Sequence, residues 1–262
     1  VTARRGVTLV ELLVALTVAS VVLAGALRVA LGATRSSDRT RERARQQALF
    51  RASTSVLGHE LAGLDPVTDL ETLSPDSLTL RTIRGTGRTC GTEAGAVVVA
   101  LATLRAWRLP DVDRDSLRIP AASGASWITV PLLGAASRSR CADGSPGLRL
   151  PVDDGLAQRA ALVSVSVRVV EWVRFRLYSN ADGWWLGARS LRAGDVTQPI
   201  AGPFTVRALT FRFLDGRGTP TADRASLRSI ALAMRTVNGP GERGVAADSV
   251  VAWLPLRPRE GT

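Results

Sequence analysis

Apolar and polar positions divide the chain into two regimes. Residues 12–27 carry no charge and are interrupted only by Thr17, Ser20 and Gly25, before Arg28 closes the run. This is short of the ~18 apolar residues of an ordinary spanning helix, and it reaches that length once residues 7–11 and the stem of Arg28 are counted. Residues 36–47 are rich in arginine with Asp38 and Glu42 among them, a composition suited to an exposed helix. Farther on, Leu49, Ala52, Val56, Leu57, Leu61 and Leu64 recur at helical intervals and predict a stripe that packs on a folded head. Gly63-Leu64-Asp65-Pro66 predicts the stop, because proline has no N–H for the helical ladder. A helix over residues 8–64 would run roughly 85 Å at ~1.5 Å per residue.

From about Asp76 the period changes to two. Ser77-Leu78-Thr79-Leu80-Arg81 alternates as a strand with one buried face should. In a longer stretch Val163, Val165, Val167, Val169, Val173, Phe175 and Leu177 share one face, and Ser164, Ser166, Arg168, Arg174 and Arg176 the other. Glu171 falls on the apolar face, which predicts a bulge or an edge position near it. Residues 204–214 switch parity between Val206 and Leu209, predicting another bulge. Asp215-Gly216-Arg217-Gly218 reads as a turn, and residues 227–237 and 250–256 as the last strands. Many short strands joined by Gly, Pro and Asp, with no recurrent helix between them, predict an α+β fold. In it a long, partly transmembrane N-terminal helix leads into a mostly antiparallel β head, with room for two packed sheets.

Charge and candidate chemistry narrow the function. The formal net charge of +11 comes from arginine alone, since the chain has no lysine. The arginines are scattered and accompany no nucleic-acid-binding motif, so no specific nucleic-acid partner is expected. The single histidine, His59, sits beside Glu60 on the expected helix and reads as solvated rather than catalytic. No Gly-x-Ser-x-Gly elbow occurs, and a phosphate-binding loop of the usual kind needs the lysine this chain lacks. Asp111, Asp113 and Asp115 have the spacing of the first calcium-loop ligands, but Ser116 and Ala122 stand where glycine and the bidentate glutamate belong. No catalytic residue, cofactor, metal or small-molecule substrate is therefore expected. Cys90 and Cys141 are the only cysteines; they form either a disulfide or two buried free thiols. Trp107, Trp127, Trp172, Trp184, Trp185 and Trp253 are expected to fill the head's core or cover its sheet. Trp184 and Trp185, beside Asn180-Ala181-Asp182-Gly183, are also candidates for a contact with another subunit.

The N-terminus carries the most specific signal. Arg4 and Arg5 precede the apolar helix, an arrangement that places the N-terminus on the cytoplasmic side. Glu11 lies within that helix, where a carboxylate is costly. An ordinary secretory signal, cut near residues 24–26 or 30–33, is the rival reading; its apolar centre has no use for Glu11. Gly6-Val7-Thr8-Leu9-Val10-Glu11-Leu12-Leu13-Val14-Ala15 closely resembles the type III signal of prepilins and pseudopilins, the subunits of type IV pili and type II secretion systems.

The resemblance implies cleavage after Gly6 by the prepilin peptidase and methylation of Val7, where valine replaces the commoner phenylalanine. It also implies that Glu11 pairs with a neighbouring subunit's N-terminal amine. Gly6 suits such a cut because a residue without a side chain lies extended in a narrow protease cleft, and Arg4 and Arg5 hold the bond near the membrane face. More diffusely, the long head and Gln198-Pro199-Ile200 before an aromatic strand resemble the large minor subunits, the PilW-type minor pilins and J-type pseudopilins. The expected organisation is a leader at 1–6, a transmembrane assembly helix at 7–31, its exposed continuation at 32–65 and a β-rich periplasmic head at 66–262. The implied partners are the inner membrane and other major and minor pilins or pseudopilins. The implied function is that of a minor pilin at or near the filament tip. A J-type pseudopilin of a type II secretion system and an adhesive or DNA-uptake subunit are the alternatives.

Overall fold

The computed structural model describes residues 8–121, 127–153, 155, 164–204, 209–235 and 249–256. The chain divides into two units, Val1–Leu49 and Phe50–Thr262. Val163, Val206, Val237 and Ala122 of the sequence reading lie outside the described residues.

Helix α1 spans Leu9–Leu61. Its interior has no proline, and its two glycines before residue 50, Gly25 and Gly32, have no neighbouring atom within contact distance of where a Cβ would stand. It ends three residues short of the expected Leu64. Gly63 takes a φ of +76°, a left-handed conformation that stops a helix and costs glycine little. The Ala62 and Leu64 amides close the last turn by donating to the His59 and Leu61 carbonyls. Asp65 then caps the short α2 (Pro66–Asp69), its side chain accepting from the Val67 amide.

Within the second unit, the last turns of α1 bury Phe50, Ser53, Leu57 and Leu61, and Leu64 follows them inside. This stripe is rotated from the expected one: Ala52 is exposed, and Phe50 and Ser53 take its place. Gly58 faces Leu254, whose side chain lies 3.5 Å from where a Cβ would stand.

Fourteen strands follow among the described residues. They are β1 (Leu70–Ser74), β2 (Ser77–Glu93), β3 (Ala96–Ala100), β4 (Arg105–Ala106), β5 (Asp115–Pro120), β6 (Trp127–Pro131), β7 (Ser137–Arg140), β8 (Pro146–Pro151), β9 (Ser166–Asn180), β10 (Gly183–Ser190), β11 (Gln198–Phe204), β12 (Leu209–Asp215), β13 (Leu227–Arg235) and β14 (Ser249–Pro255). Every pairing between them is antiparallel. The fold is α+β: one long apolar N-terminal helix, then a mostly antiparallel β region of pilin-like architecture.

The large sheet runs β11-β10-β9-β2-β3-β8-β7, with β1 and β4 also on β2, β5 also on β9, and β6 on β5. Strand β2 serves two neighbourhoods in turn. Its first part pairs with β9 as far as Arg88↔Ser166, and its end pairs with β3 from Thr89↔Val99. Glycine permits the crossing: a Cβ on Gly87 would stand 2.6 Å from the Val99 side chain, and one on Gly85 2.8 Å from Ala106. The main core cluster sits where β3, β5, β6, β8 and β9 converge, with Val97, Val99, Leu117, Leu150, Val167 and Val169 among its members.

A second sheet, β12-β13-β14, is separate in hydrogen bonding but tied to the β1–β2 hairpin. The Phe211 amide donates to the Pro75 carbonyl, and the Arg224 guanidinium donates to the Glu71 carbonyl. This corrects the single bulged strand expected over residues 204–214. Phe204 ends β11 in one sheet and Leu209 begins β12 in the other, so the parity switch marks a change of sheet. The turn at residues 215–218 is present, with the Asp215 carboxylate accepting from the Arg217 and Thr219 amides. Those amides, Thr219's foremost, hold its carboxyl below the usual carboxylate range.

Glu171 marks the other correction. Strand β9 passes through it without a bulge; the extra residue is Arg84 on β2, between the pairs Ile83↔Val170 and Gly85↔Val169. The bulge aims Arg84 at two carboxylates: Nε donates to Glu171 at 2.7 Å, and a terminal nitrogen donates to Glu60 of α1 at 2.8 Å. Burial draws the Arg84 guanidinium down, but Glu60 and Glu171 together more than offset it and hold it above its ordinary value. Arg108 completes the cluster, holding the fully buried Asp115 at 2.6 Å and lying 3.6 Å from Glu171. A second cluster surrounds Asp69, which accepts from Arg118 at 2.7 Å and from Arg81 at 3.2 Å.

Removing one partner of a fully buried pair costs ~3–5 kcal/mol. Glu171→Leu leaves Arg84 with Glu60 and Arg108 with Asp115, so we expect a smaller loss of about 2 kcal/mol. A lower urea midpoint with unchanged slope, followed by tryptophan fluorescence, checks it.

Candidate functional site

The N-terminal unit presents an apolar helix with a polar cap. Thr8 and Glu11 bond reciprocally: the Thr8 amide and hydroxyl donate to Glu11 Oε2 at 3.0 and 3.1 Å, and the Glu11 amide donates to Thr8 Oγ1 at 3.3 Å. This capping box satisfies two of the amides that a helix N-terminus leaves open. It also fixes the carboxylate over the first turn. Glu11 Oε1 accepts no bond among the described residues. Gly6, Val7, Arg4 and Arg5 lie outside those residues.

Beyond the cap, the large apolar side chains from Leu9 to Leu31 are all exposed. The segment is long and apolar enough to cross a membrane. Its hydroxyls are turned inward on their own helix: Thr17 donates to the Val14 carbonyl, Ser20 to Thr17 and Thr34 to Leu31. Each donor is thereby satisfied within the helix, the condition a lipid-exposed segment must meet. On one face the rows Val10-Val14-Val18-Val22 and Glu11-Ala15-Ala19-Leu23 run side by side. The small Ala15 and Ala19 make the second row a shallow groove, with the Glu11 carboxylate at its N-terminal end. Small residues in such a row let a second helix approach closely.

The other candidates fall in the second unit and are not brought together. Cys90 and Cys141 form a disulfide with Cα atoms 5.2 Å apart. Cys90 is the bulged residue between the pairs Thr89↔Val99 and Gly91↔Val98, and the bridge ties β2 to the β7–β8 turn. Trp184 and Trp185 open β10 and are half-buried. Trp185 donates its indole N–H to Asn180 Oδ1 at 3.0 Å, and its ring lies against Gly202, where a Cβ would stand 2.7 Å away. None of the six tryptophans is buried, so of the two places expected for them, in the core or over the sheet, the core is ruled out; Trp107 is 74% exposed and Trp253 59%. Trp172 and Trp127 cover the sheet, under Arg81 and Arg168, each guanidinium 4.6 Å from the ring centre.

His59 is exposed and lies 5.4 Å from the Trp107 ring. Asp115 is clamped by Arg108 and Asp111 is paired with Arg114, so arginines occupy two of the three side chains spaced like calcium ligands. Among the described residues no group of three His, Cys, Asp or Glu side chains is placed to hold a metal ion. Sequence reasoning missed the Arg84 cluster, although Glu171 on an apolar face was its signal.

The family described as the prokaryotic N-terminal methylation motif matches residues 2–27. This chain carries that motif at the head of a pilin-like fold. The match covers the capping box, most of the exposed apolar segment and the groove with Glu11 at its end, so the motif overlaps the start of the membrane-span-like helix. Neither a curated protein nor a solved structure matches the chain.

The bridge closes a loop of 51 residues, and cross-links of this kind contribute ~2–4 kcal/mol. Cys90→Ser is expected to lower the unfolding free energy by about that amount. The wild-type chain in dithiothreitol should shift by the same amount, whereas the variant's midpoint should not respond to reductant.

Proposed function

We propose that this chain is a minor-pilin-like structural subunit of a type IV pilus, held in the inner membrane as a prepilin and assembled at or near the filament tip. The prepilin peptidase removes residues 1–6, cutting after Gly6 with Arg4 and Arg5 on the cytoplasmic side, and Val7 becomes the methylated N-terminus. Residues 7–31 anchor the precursor and then join the filament core; the β-rich region faces the periplasm and meets other minor subunits. The observation that carries this reading is the methylation motif on an exposed apolar segment of the helix.

The chemistry of assembly follows from the same helix. Apolar side chains exposed from Leu9 onward find cover first in lipid and then against neighbouring helices, the row of Ala15 and Ala19 allowing close packing. Glu11 supplies register: Oε2 is held by Thr8, and Oε1, which accepts no bond among the described residues, receives a partner's amine. An ion pair in that low-dielectric setting is far stronger than one in water, so a subunit out of register loses it.

Mass spectrometry of the mature protein tests the processing: the expected N-terminus is methylated Val7, and a start beyond Ala24 would replace this reading with a cleaved secretory signal. For assembly, Glu11→Val is expected to be cleaved at close to the wild-type rate while recovery in sheared filaments falls at least roughly tenfold, the loss of about 1.4 kcal/mol or more. Wild-type recovery of that variant would remove the pairing role.

A further inference from the structure

The face of β9 and β10 turned away from the core carries a compact group of arginines. The register pairs Arg174 with Arg189, Arg176 with Gly187 and Tyr178 with Trp185, so these side chains share one face. The residues between them, Phe175, Leu177, Leu186 and Ala188, point to the other side, where Phe175 and Leu186 are fully buried. Arg174 and Arg189 stand directly opposite one another, an arrangement in which like charges repel across ~5 Å. Arg176 follows Arg174 by two residues, about 7 Å along the strand. Arg176 and Arg189 are exposed, and none of the three forms an ion pair with a carboxylate among the described residues. Arg174 is steadied by Thr79, to which its Nε donates at 3.2 Å. Along the two strands the only acids are Glu171, buried on the opposite face, and Asp182 at the hairpin turn.

The aromatic residues decide which anion fits. Trp185 spends its N–H on Asn180 and lays its ring on Gly202; Tyr178 lies against Gly187, with the Arg176 guanidinium 5.7 Å from its centre. Trp172 is covered by Arg81 and Trp127 by Arg168. Ring faces committed in this way are not a platform for stacking bases. They form a rigid apolar shelf beside guanidinium forks shaped to take carboxylates in pairs. Tyr, Trp and Arg grouped with little side-chain freedom are the composition of a protein-docking surface.

We propose that this face of the β9–β10 hairpin docks an acidic segment of a neighbouring filament subunit, with Arg174, Arg176 and Arg189 receiving its carboxylates and Tyr178 and Trp185 its apolar flank. That the partner is a filament subunit rests on the function proposed above; that it is an acidic polypeptide rests on the face alone.

Full-length protein in detergent micelles is titrated with three labelled probes, an octapeptide of alternating Glu and Ser, its Gln counterpart, and a twelve-residue oligothymidylate. The Glu peptide should bind in preference to the Gln peptide, and more weakly as salt rises. Arg174→Gln/Arg176→Gln/Arg189→Gln should weaken it at least roughly tenfold, each lost surface ion pair contributing up to about fivefold, while Arg138→Gln/Arg140→Gln on β7, at the other end of the strand order, leaves it unchanged. Equal binding by the triple variant overturns the proposal, as does tighter binding of the oligothymidylate that the same variant abolishes. In cells the triple variant should be cleaved and inserted normally yet be depleted from filaments. Wild-type incorporation overturns the subunit partner, whereas an uncleaved wild-type chain overturns the proposed function and leaves the peptide result standing.

Discussion

The β-rich unit depends on the pairing of β2 with β9, and that pairing depends on the arginine bulged from it. A strand that serves β9 as far as Arg88 and β3 from Thr89 has to twist along its length, and the extra residue at Arg84 adds twist before that handover. An unpaired residue at the centre of a sheet is a liability unless its side chain is held. Here it is held from two sides, by Glu171 across the ladder and by Glu60 on the last turn of α1. One side chain thus ends a stretch of regular pairing, neutralises a carboxylate buried on the core face, and fastens the helix end to the sheet.

The same logic explains why arginine does so much of the structural work. Arg118 and Arg81 join α2 to the sheet through Asp69, Arg108 secures Asp115, and Arg168 and Arg81 lie over tryptophans. Burial lowers the Arg81 guanidinium from its ordinary value, with Asp69 pulling the other way. The guanidinium keeps its charge at such sites and its fork bonds two partners at once. Large side chains can then remain half-exposed, because a cation covers them.

Much of the architecture was legible in the sequence, since it rests on local patterns. The apolar run to Leu27, the alternation from Ser77 and from Val165, and the Asp215 turn each announce their element within a few residues. The misreadings share a cause, long-range contact. Nothing near Glu171 shows that its partner is bulged 87 positions earlier in the chain. Nothing near Leu209 shows that β12 has left the sheet holding Phe204. Ala52 and Phe50 differ as helix-stripe candidates only through what lies opposite them. Of the proposed N-terminal site, Gly6, Val7 and Glu11 are named by the resemblance of residues 6–15 to a processing signal, because such a signal is a linear string. The Thr8–Glu11 box went unread, although Thr-x-x-Glu ahead of an apolar run is its signature.

The hydroxyls of Thr17, Ser20 and Thr34, folded back on their own carbonyls, have a consequence for where the helix can reside. A segment that meets its own polar demands is indifferent to its surroundings: acyl chains and the flanks of other helices are equivalent solvents for it. Passing from one to the other exchanges dispersion contacts and leaves the inventory of hydrogen bonds unchanged. Among the described residues the second oxygen of Glu11 still has an acceptor site to fill, so it can tell the two environments apart.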